Sequence, residues 1–502
     1  MFEVKDADIA GRIGKLYTKT GVIETPAFFP VVDVERQEIP LKEIRELGFN
    51  QIITNAYILY KRYREKVLEQ GVHSLIGFNG VIMTDSGAYQ ILQYGSVDIT
   101  NKEIVEFEGK IGVDIGVILD IPTGDVDRLA AERSVLITLK RVEEARRIII
   151  DYPETLWVLP IQGGKYLDLV TYSAKKASEL EEFSIYGIGS PTVFLEKYDY
   201  RTVLEIVVSA KKHLKPGKPV HLFGAGHPLI IPYAVALGVD LFDSASYILY
   251  ARDDRVFTDF GVERLDRITY LPCRCGDCSE YNAEKIRNLP KKERVRILAR
   301  HNLCMIKYYL DLTKQAIKEG RLWELLESLS RHHVRLYEAF RTIYEKKDYY
   351  SKYSPRVKGV VRGIRAYDYY SMGNPRLSSY HEKIQNYTPR LGRDVKRIIL
   401  APLPLDPDHC PEPNDLEKGE EYVLYYDPFL IVVPQELCGV YPTIHVHRPD
   451  IDIDKGHAET IAKKILEFLK NIPGINKYSV IILQSNTYRS LSEDLERFLK
   501  QL

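Results

Sequence analysis

The chain has 502 residues, enough for two to four domains, and its 45% apolar and 28% charged content is that of a globular protein. Its formal net charge is zero, so any contact with nucleic acid must come from a local patch. No run of 18 apolar residues occurs and the N-terminus lacks a basic start before an apolar core, so the expectation is a cytoplasmic chain with no membrane span or secretory signal.

Residues 12–25 read as a hairpin turning at Lys19, Thr20 and Gly21. Short apolar runs follow at 26–32, 51–54, 81–83, 115–119, 156–161, 185–188, 220–223 and 239–242. Helix-period segments lie between them at 41–47, 102–111, 128–150, 167–183, 202–214 and 229–237. This alternation predicts the α/β class and a (β/α)8 TIM barrel, with a doubly wound open sheet as the alternative.

The residues just after the runs carry the chemistry. The third run ends in Asp85-Ser86-Gly87, the fourth in Asp120, the fifth in Gln162-Gly-Gly164, the sixth in Gly189-Ser190-Pro191, the seventh in Gly224-Ala-Gly-His227 and the eighth in Asp243-Ser244. A single Asp or Ser here is an ordinary helix N-cap. In a barrel, however, all these ends share one face, where barrel enzymes keep their sites, so three carboxylates and an amide would converge on one rim.

Three of the six cysteines fall in Cys273-Arg-Cys275-Gly-Asp-Cys278, and His301 and Cys304 follow. Such clustering reads as an intracellular metal site rather than a disulfide framework. Cys273, Cys275, Cys278 and His301 make a closed Cys3His set, suited to one structural Zn2+. Cys304, one helical turn after His301, is the rival fourth ligand. Residues 305–344 have helical periodicity. Residues 344–397 hold 13 Lys or Arg against 5 Asp or Glu, with nine tyrosines interleaved, a composition suited to phosphate contact and base stacking or to a solvated linker. Residues 402–413 are proline-rich and read as a boundary. Strand-like runs at 422–426, 430–433 and 478–483 with a helix at 459–469 predict a small α/β C-terminal domain. The expected domains are therefore a barrel with its zinc-binding subdomain (1–345, metal site at 273–304), a basic Tyr-rich connecting segment (346–400) and the C-terminal domain (401–502).

Five stretches, in order, resemble the tRNA-guanine transglycosylases: Gly14-Lys-Leu-Tyr-Thr18 with Thr25-Pro-Ala-Phe-Phe-Pro-Val31, Met83-Thr-Asp-Ser-Gly-Ala-Tyr-Gln90, Ile161-Gln-Gly-Gly164, Leu241-Phe-Asp-Ser244 and the Cys-rich array with its His. Ser244-Ala-Ser-Tyr247 and the long C-terminal extension resemble the archaeal branch. The resemblance implies replacement of guanine-15 in the tRNA D-arm by 7-cyano-7-deazaguanine (preQ0), toward archaeosine. Two displacements at ribose C1′ would pass through a covalent ribosyl-aspartate. It implies Asp243 as nucleophile and Asp85 as general acid/base, although residue type alone leaves those two roles interchangeable. Asp120 would read the base's N1–H and exocyclic amine, Ser86, Gln162, Gly189 and Ser190 would bind the rest, and Tyr89 and Phe223 would sandwich the ring. The partners implied are tRNA, guanine, preQ0 and a second copy of the chain. Archaeal members usually carry a PUA domain; none is recognisable here, which implies either that the basic segment and C-terminal domain hold the tRNA or that a separate PUA protein assists. The alternatives are a non-catalytic RNA-binding paralogue and a queuosine-type enzyme acting on the wobble base.

Overall fold

The computed structural model describes residues 2–88, 99–189, 191–273, 275–355, 358, 362–404 and 419–500. Two compact units divide the chain, residues 1–355 and 356–502.

The first unit opens with an antiparallel sheet of β1 (Phe2–Asp8), β2 (Gly11–Tyr17) and β3 (Val22–Thr25). The expected hairpin is β2–β3; β1 is an addition. Among the described residues, eight parallel strands follow: β4 (Ala27–Pro30), β5 (Gln51–Asn55), β6 (Val81–Asp85), β7 (Ile115–Val117), β8 (Leu156–Ile161), β9 (Ile185–Ile188), β10 (Val220–Leu222) and β11 (Leu241–Ser244). Neighbours in sequence are neighbours in the sheet, β11 pairs with β4, and a parallel bridge of Val31 with Ile53 brings β4 back to β5. The sheet is a closed TIM barrel, and the open-sheet alternative is excluded. Each strand falls on an expected run, shifted by at most two residues at either end. The segments expected as long helices at 128–150 and 167–183 stop earlier, at Arg128–Ala145 and Leu167–Ser178. Helix Ala56–Gln70 was not expected from apolar periodicity; Asn55 starts it by accepting a hydrogen bond from the Ile58 amide (2.9 Å), and Gly71 ends it.

Alternation along the strands sets what the barrel interior contains. Val81, Met83, Ile115, Val117, Val158, Ile185 and Leu241 form one buried cluster with Leu16 and Ile23 of the hairpin. The hairpin thus plugs the N-terminal end of the barrel. It is pinned there by Asp114, whose carboxylate accepts from the amides of Thr20 (3.0 Å) and Ile82 (2.9 Å). The opposite, C-terminal end is left for the site. Beyond β11 come a two-stranded hairpin, β12 (Arg255–Thr258) and β13 (Gly261–Arg264), and helices Lys291–Glu319, Leu322–Leu329 and Val334–Tyr344.

The second unit has a four-stranded sheet in the order Ile431–Pro434, Glu421–Asp427, Arg397–Pro402, Ser479–Ile482, with helices Pro375–Gln385, Lys455–Lys470 and Arg489–Leu499. Its buried core includes Ile364, Leu377, Tyr380, Ile398, Leu400, Tyr422, Ile461 and Leu491. The expected boundary at 400 cuts its central strand, so the connecting segment 346–400 is corrected. Residues up to 355 belong to the first unit and the rest help build the second. Several of the tyrosines in this segment do core work. Tyr350 packs on Trp323 (ring centroids 5.5 Å apart), Tyr349 donates to the Leu237 carbonyl (2.7 Å), and Tyr380 to the Val432 carbonyl (2.6 Å).

Candidate active site and metal centre

Two-residue periodicity carries the interior face past its apolar layers to the open end. Val81 and Met83 lead to Asp85, Val158 leads through Pro160 to Gln162, Ile185 leads through Gly187 to Gly189, and Leu241 leads to Asp243. Asp85, Asp120, Gln162, Gly189, Phe223 and Asp243 line one cavity of about 460 Å³, together with Asn55, His227 and Tyr250. Asp120 is placed by a loop rather than a strand, because β7 ends at Val117 and not at 119 as expected. Arg141 holds that loop by donating to the carbonyls of Leu119 (3.2 Å) and Asp120 (3.1 Å).

The carboxylates differ in setting. Asp85 is pushed up to about 7, first by burial and then by the like charges of Asp120 and Asp243, against hydrogen bonds from the backbone N–H groups of Gly87 and Ser86. Burial pushes Asp120 up to about 6, opposed by the hydrogen bond from the Gln162 amide and by the charge of Arg141. Asp243 receives two hydrogen bonds on one oxygen. His221 Nε2 lies 2.8 Å from Oδ1 and the Gly224 amide donates to the same atom (3.0 Å), while Oδ2 has no hydrogen bond among the described residues. The Gln162 carbonyl oxygen accepts from the Thr123 amide (3.0 Å) and hydroxyl (3.1 Å), which turns its N–H end toward Asp120. Gly189 lies so close that a Cβ there would fall 2.2 Å from Gln162 Nε2, so the wall at this point must be bare backbone.

Of the expected site residues, Asp85, Asp120, Gln162, Gly189, Phe223 and Asp243 come together. Tyr89 and Ser190 lie outside the described residues. Ser86 does not line the cavity: its side chain is fully buried and its hydroxyl donates to the Ile118 carbonyl (3.2 Å), so only its backbone faces Asp85. Three cavity-side residues were not foreseen. Asn55 Nδ2 points at Asp85 Oδ2 (3.4 Å). His221 lies beneath Phe223, and the alternation His221, Phe223 was the available signal. His227 lines the cavity with its Nδ1 accepting from the Leu229 amide (3.3 Å); burial, with the charge of His333, depresses it to about 3.

The ligand atoms of Cys273, Cys275, Cys278 and His301 all lie within 4.8 Å of one another. His301 Nε2 donates to the Phe257 carbonyl (2.8 Å), leaving Nδ1, 3.2 Å from Cys278 Sγ, as the ligand atom. Three thiols and one imidazole in this arrangement fit a metal ion. Cys304, the rival ligand, is a free thiol outside this set.

The family model for queuine tRNA-ribosyltransferase matches residues 7–335. The tRNA-guanine(15) transglycosylase of Aeropyrum pernix is 50% identical over 477 residues, 94% of this chain and 93% of that relative. That of Sulfolobus acidocaldarius is 42% identical over 93% of this chain and 92% of its own. That of Thermococcus kodakarensis is 48% identical over 360 residues, 71% of this chain and 61% of its own.

Proposed function

The chain belongs to the queuine tRNA-ribosyltransferase family, and from that premise we propose that it exchanges guanine-15 of the tRNA D-arm for 7-cyano-7-deazaguanine. It is a pentosyltransferase. The observation that carries the proposal is the single cavity in which Asp85, Asp120 and Asp243 meet Gln162, backed by relatives named for this reaction that match over nearly their whole length.

The chemistry divides among the groups as follows. Asp243 attacks ribose C1′ through Oδ2, the oxygen that no donor among the described residues occupies; the C1′–N9 bond breaks and its electron pair leaves with guanine. Asp85, poised near 7, carries a proton about half the time at neutral pH and supplies it to the departing base. The incoming base then attacks C1′ through N9, returns its proton to Asp85 and frees Asp243, so configuration is retained. Asp120 accepts from the base's N1–H and exocyclic amine, with Gln162 and the Gly189 backbone beside it, and Phe223 packs on the ring face. A Zn2+ held by Cys273, Cys275, Cys278 and His301 would be closed to substrate and would tie the three cysteines, the last of them on short helix Gly276–Glu280, to helix Lys291–Glu319, which carries His301. We further propose a cytoplasmic homodimer acting on tRNA, assisted by a separate PUA protein.

Incorporation of labelled guanine into archaeal tRNA transcripts tests the reading. Exchange is expected with G15 present and lost when that base is changed. Continued exchange in the altered transcript, or exchange only at the wobble base, would reject the site, and no exchange at all would favour the non-catalytic paralogue. Asp243→Asn is expected to abolish the covalent tRNA adduct.

A further inference from the structure

We propose that His221 is a positioning residue which, with the Gly224 amide, draws the ribose back off Asp243 in the second half of the exchange. This rests on the reading of Asp243 as nucleophile.

His221 stands on β10, is fully buried, and places Nε2 2.8 Å from Asp243 Oδ1, where the Gly224 amide also donates at 3.0 Å. Its Nδ1 is buried with no hydrogen-bond partner among the described residues. A proton on Nδ1 would go unsatisfied in an apolar setting, so the ring carries its hydrogen on Nε2 and donates to the carboxylate. The ring cannot swing away. Phe223 stacks on it with centroids 4.3 Å apart, and Phe29 lies 5.9 Å off, tilted by 36°.

The consequence follows from what Oδ1 is at each stage. In the free enzyme it belongs to a carboxylate, and both hydrogen bonds are charge-assisted. In the ribosyl-enzyme it is the carbonyl oxygen of an ester, and the same two donors bind it more weakly. The pair therefore favours the free carboxylate over the ester. When the incoming N9 lone pair forms its bond to C1′, the C1′–Oδ2 bond breaks and its electrons return to the carboxylate, spreading onto Oδ1 where two N–H groups already point. The proton from N9 passes to Asp85, and no further reactant is required. Preset donors of this kind need no reorganisation as charge develops.

His221→Phe keeps the aromatic packing and removes the donor. The expected result is exchange slowed about tenfold or more, a KM for tRNA that falls along with kcat, and a larger fraction of tRNA trapped as covalent adduct on denaturing gels. A purely structural role would instead lower adduct and exchange together. That outcome in a folded variant overturns the proposal, as does exchange at the wild-type rate. His221→Gln keeps an N–H donor and is expected to restore exchange and adduct fraction; should the Phe variant fail to fold, a folded Gln variant that loses exchange more than about tenfold overturns it equally. If the adduct persists in Asp243→Asn, the nucleophile assignment has failed rather than the role of His221.

Discussion

At the scale of single residues, two carboxylates set a pH window. With tRNA as the varied substrate, kcat/KM is expected to fall below about pH 6 as Asp120 gains a proton and loses its capacity to accept from the base. It is expected to fall again above about pH 7 as Asp85 loses the proton that guanine needs to leave. The neighbouring acids titrate as a set, so the limbs belong to the group rather than to one side chain. Guanine exchange measured across this range checks the shape, and a profile with no decline on the alkaline side would remove Asp85 as the acid. Far from the cavity, Lys211 is buried and depressed to about 8 by burial and then by Arg12, with Asp240 opposing. The unfolded chain binds this proton up to about 10.5, so stability should rise as pH climbs from about 8 to 10.5. Lys211→Met should flatten that rise and stabilise the neutral-pH fold by up to about 3 kcal/mol in chemical denaturation. Asp85, Gln162 and Asp243 were legible in the sequence because polar groups at the ends of apolar strands have few other uses in a barrel. Ser86 misled for the same reason, since residue type does not say which way a side chain turns. His221 was hidden inside an apolar run, where a histidine reads as core.

At the scale of elements, helix Lys291–Glu319 grips β12 through consecutive side chains. His301 accepts its place by donating to the Phe257 carbonyl, and Asn302 accepts from the Phe257 amide (2.8 Å) while donating to the Tyr247 carbonyl (3.0 Å). The candidate metal ligand and the fold clamp are thus adjacent residues. Asn302→Ala should cost about 2–4 kcal/mol, because it leaves buried backbone groups without partners; a denaturation midpoint equal to wild type would refute the clamp. Chelation should speed hydrogen exchange at Phe257 and along β12–β13 while leaving β5 to β8 protected, and Cys275→Ala should lower bound zinc measured by metal analysis. Unchanged stoichiometry would reject the ligand set. The strands of the barrel could be placed from sequence because each is buried on both faces and reads as a continuous apolar run. Helix Ala56–Gln70 escaped because its tyrosines and charges blur the apolar period; its caps, Asn55 and Gly71, were the readable signal. Strand Arg397–Pro402 escaped because its terminal proline was assigned to a boundary.

At the scale of the whole molecule, the catalytic and metal-binding candidates all lie in residues 1–355. The second unit brings 10 Lys or Arg against 3 Asp or Glu in residues 356–397, a composition that supports a role in holding tRNA. A chain ending at Pro355 is expected to bind metal and keep its kcat for guanine exchange, with KM for tRNA raised about tenfold and a shallower dependence on salt. Unchanged KM would place the tRNA contacts elsewhere. Composition alone located the basic, tyrosine-rich stretch but not which of its tyrosines are core, because a tyrosine that packs a core and one that stacks on a base are indistinguishable until their neighbours are known.

The hairpin plug has a kinetic meaning. With Leu16 and Ile23 closing the lower end of the barrel, the described residues leave the upper end as the way into the cavity. On the proposed reaction, expelled guanine and its replacement would share that upper end and occupy the same pocket in turn. The two bases therefore compete for one form of the enzyme, the ribosyl-bound one. Guanine should inhibit competitively against the incoming base, and exchange should follow ping-pong kinetics whose direction is decided by the relative supply of the two bases.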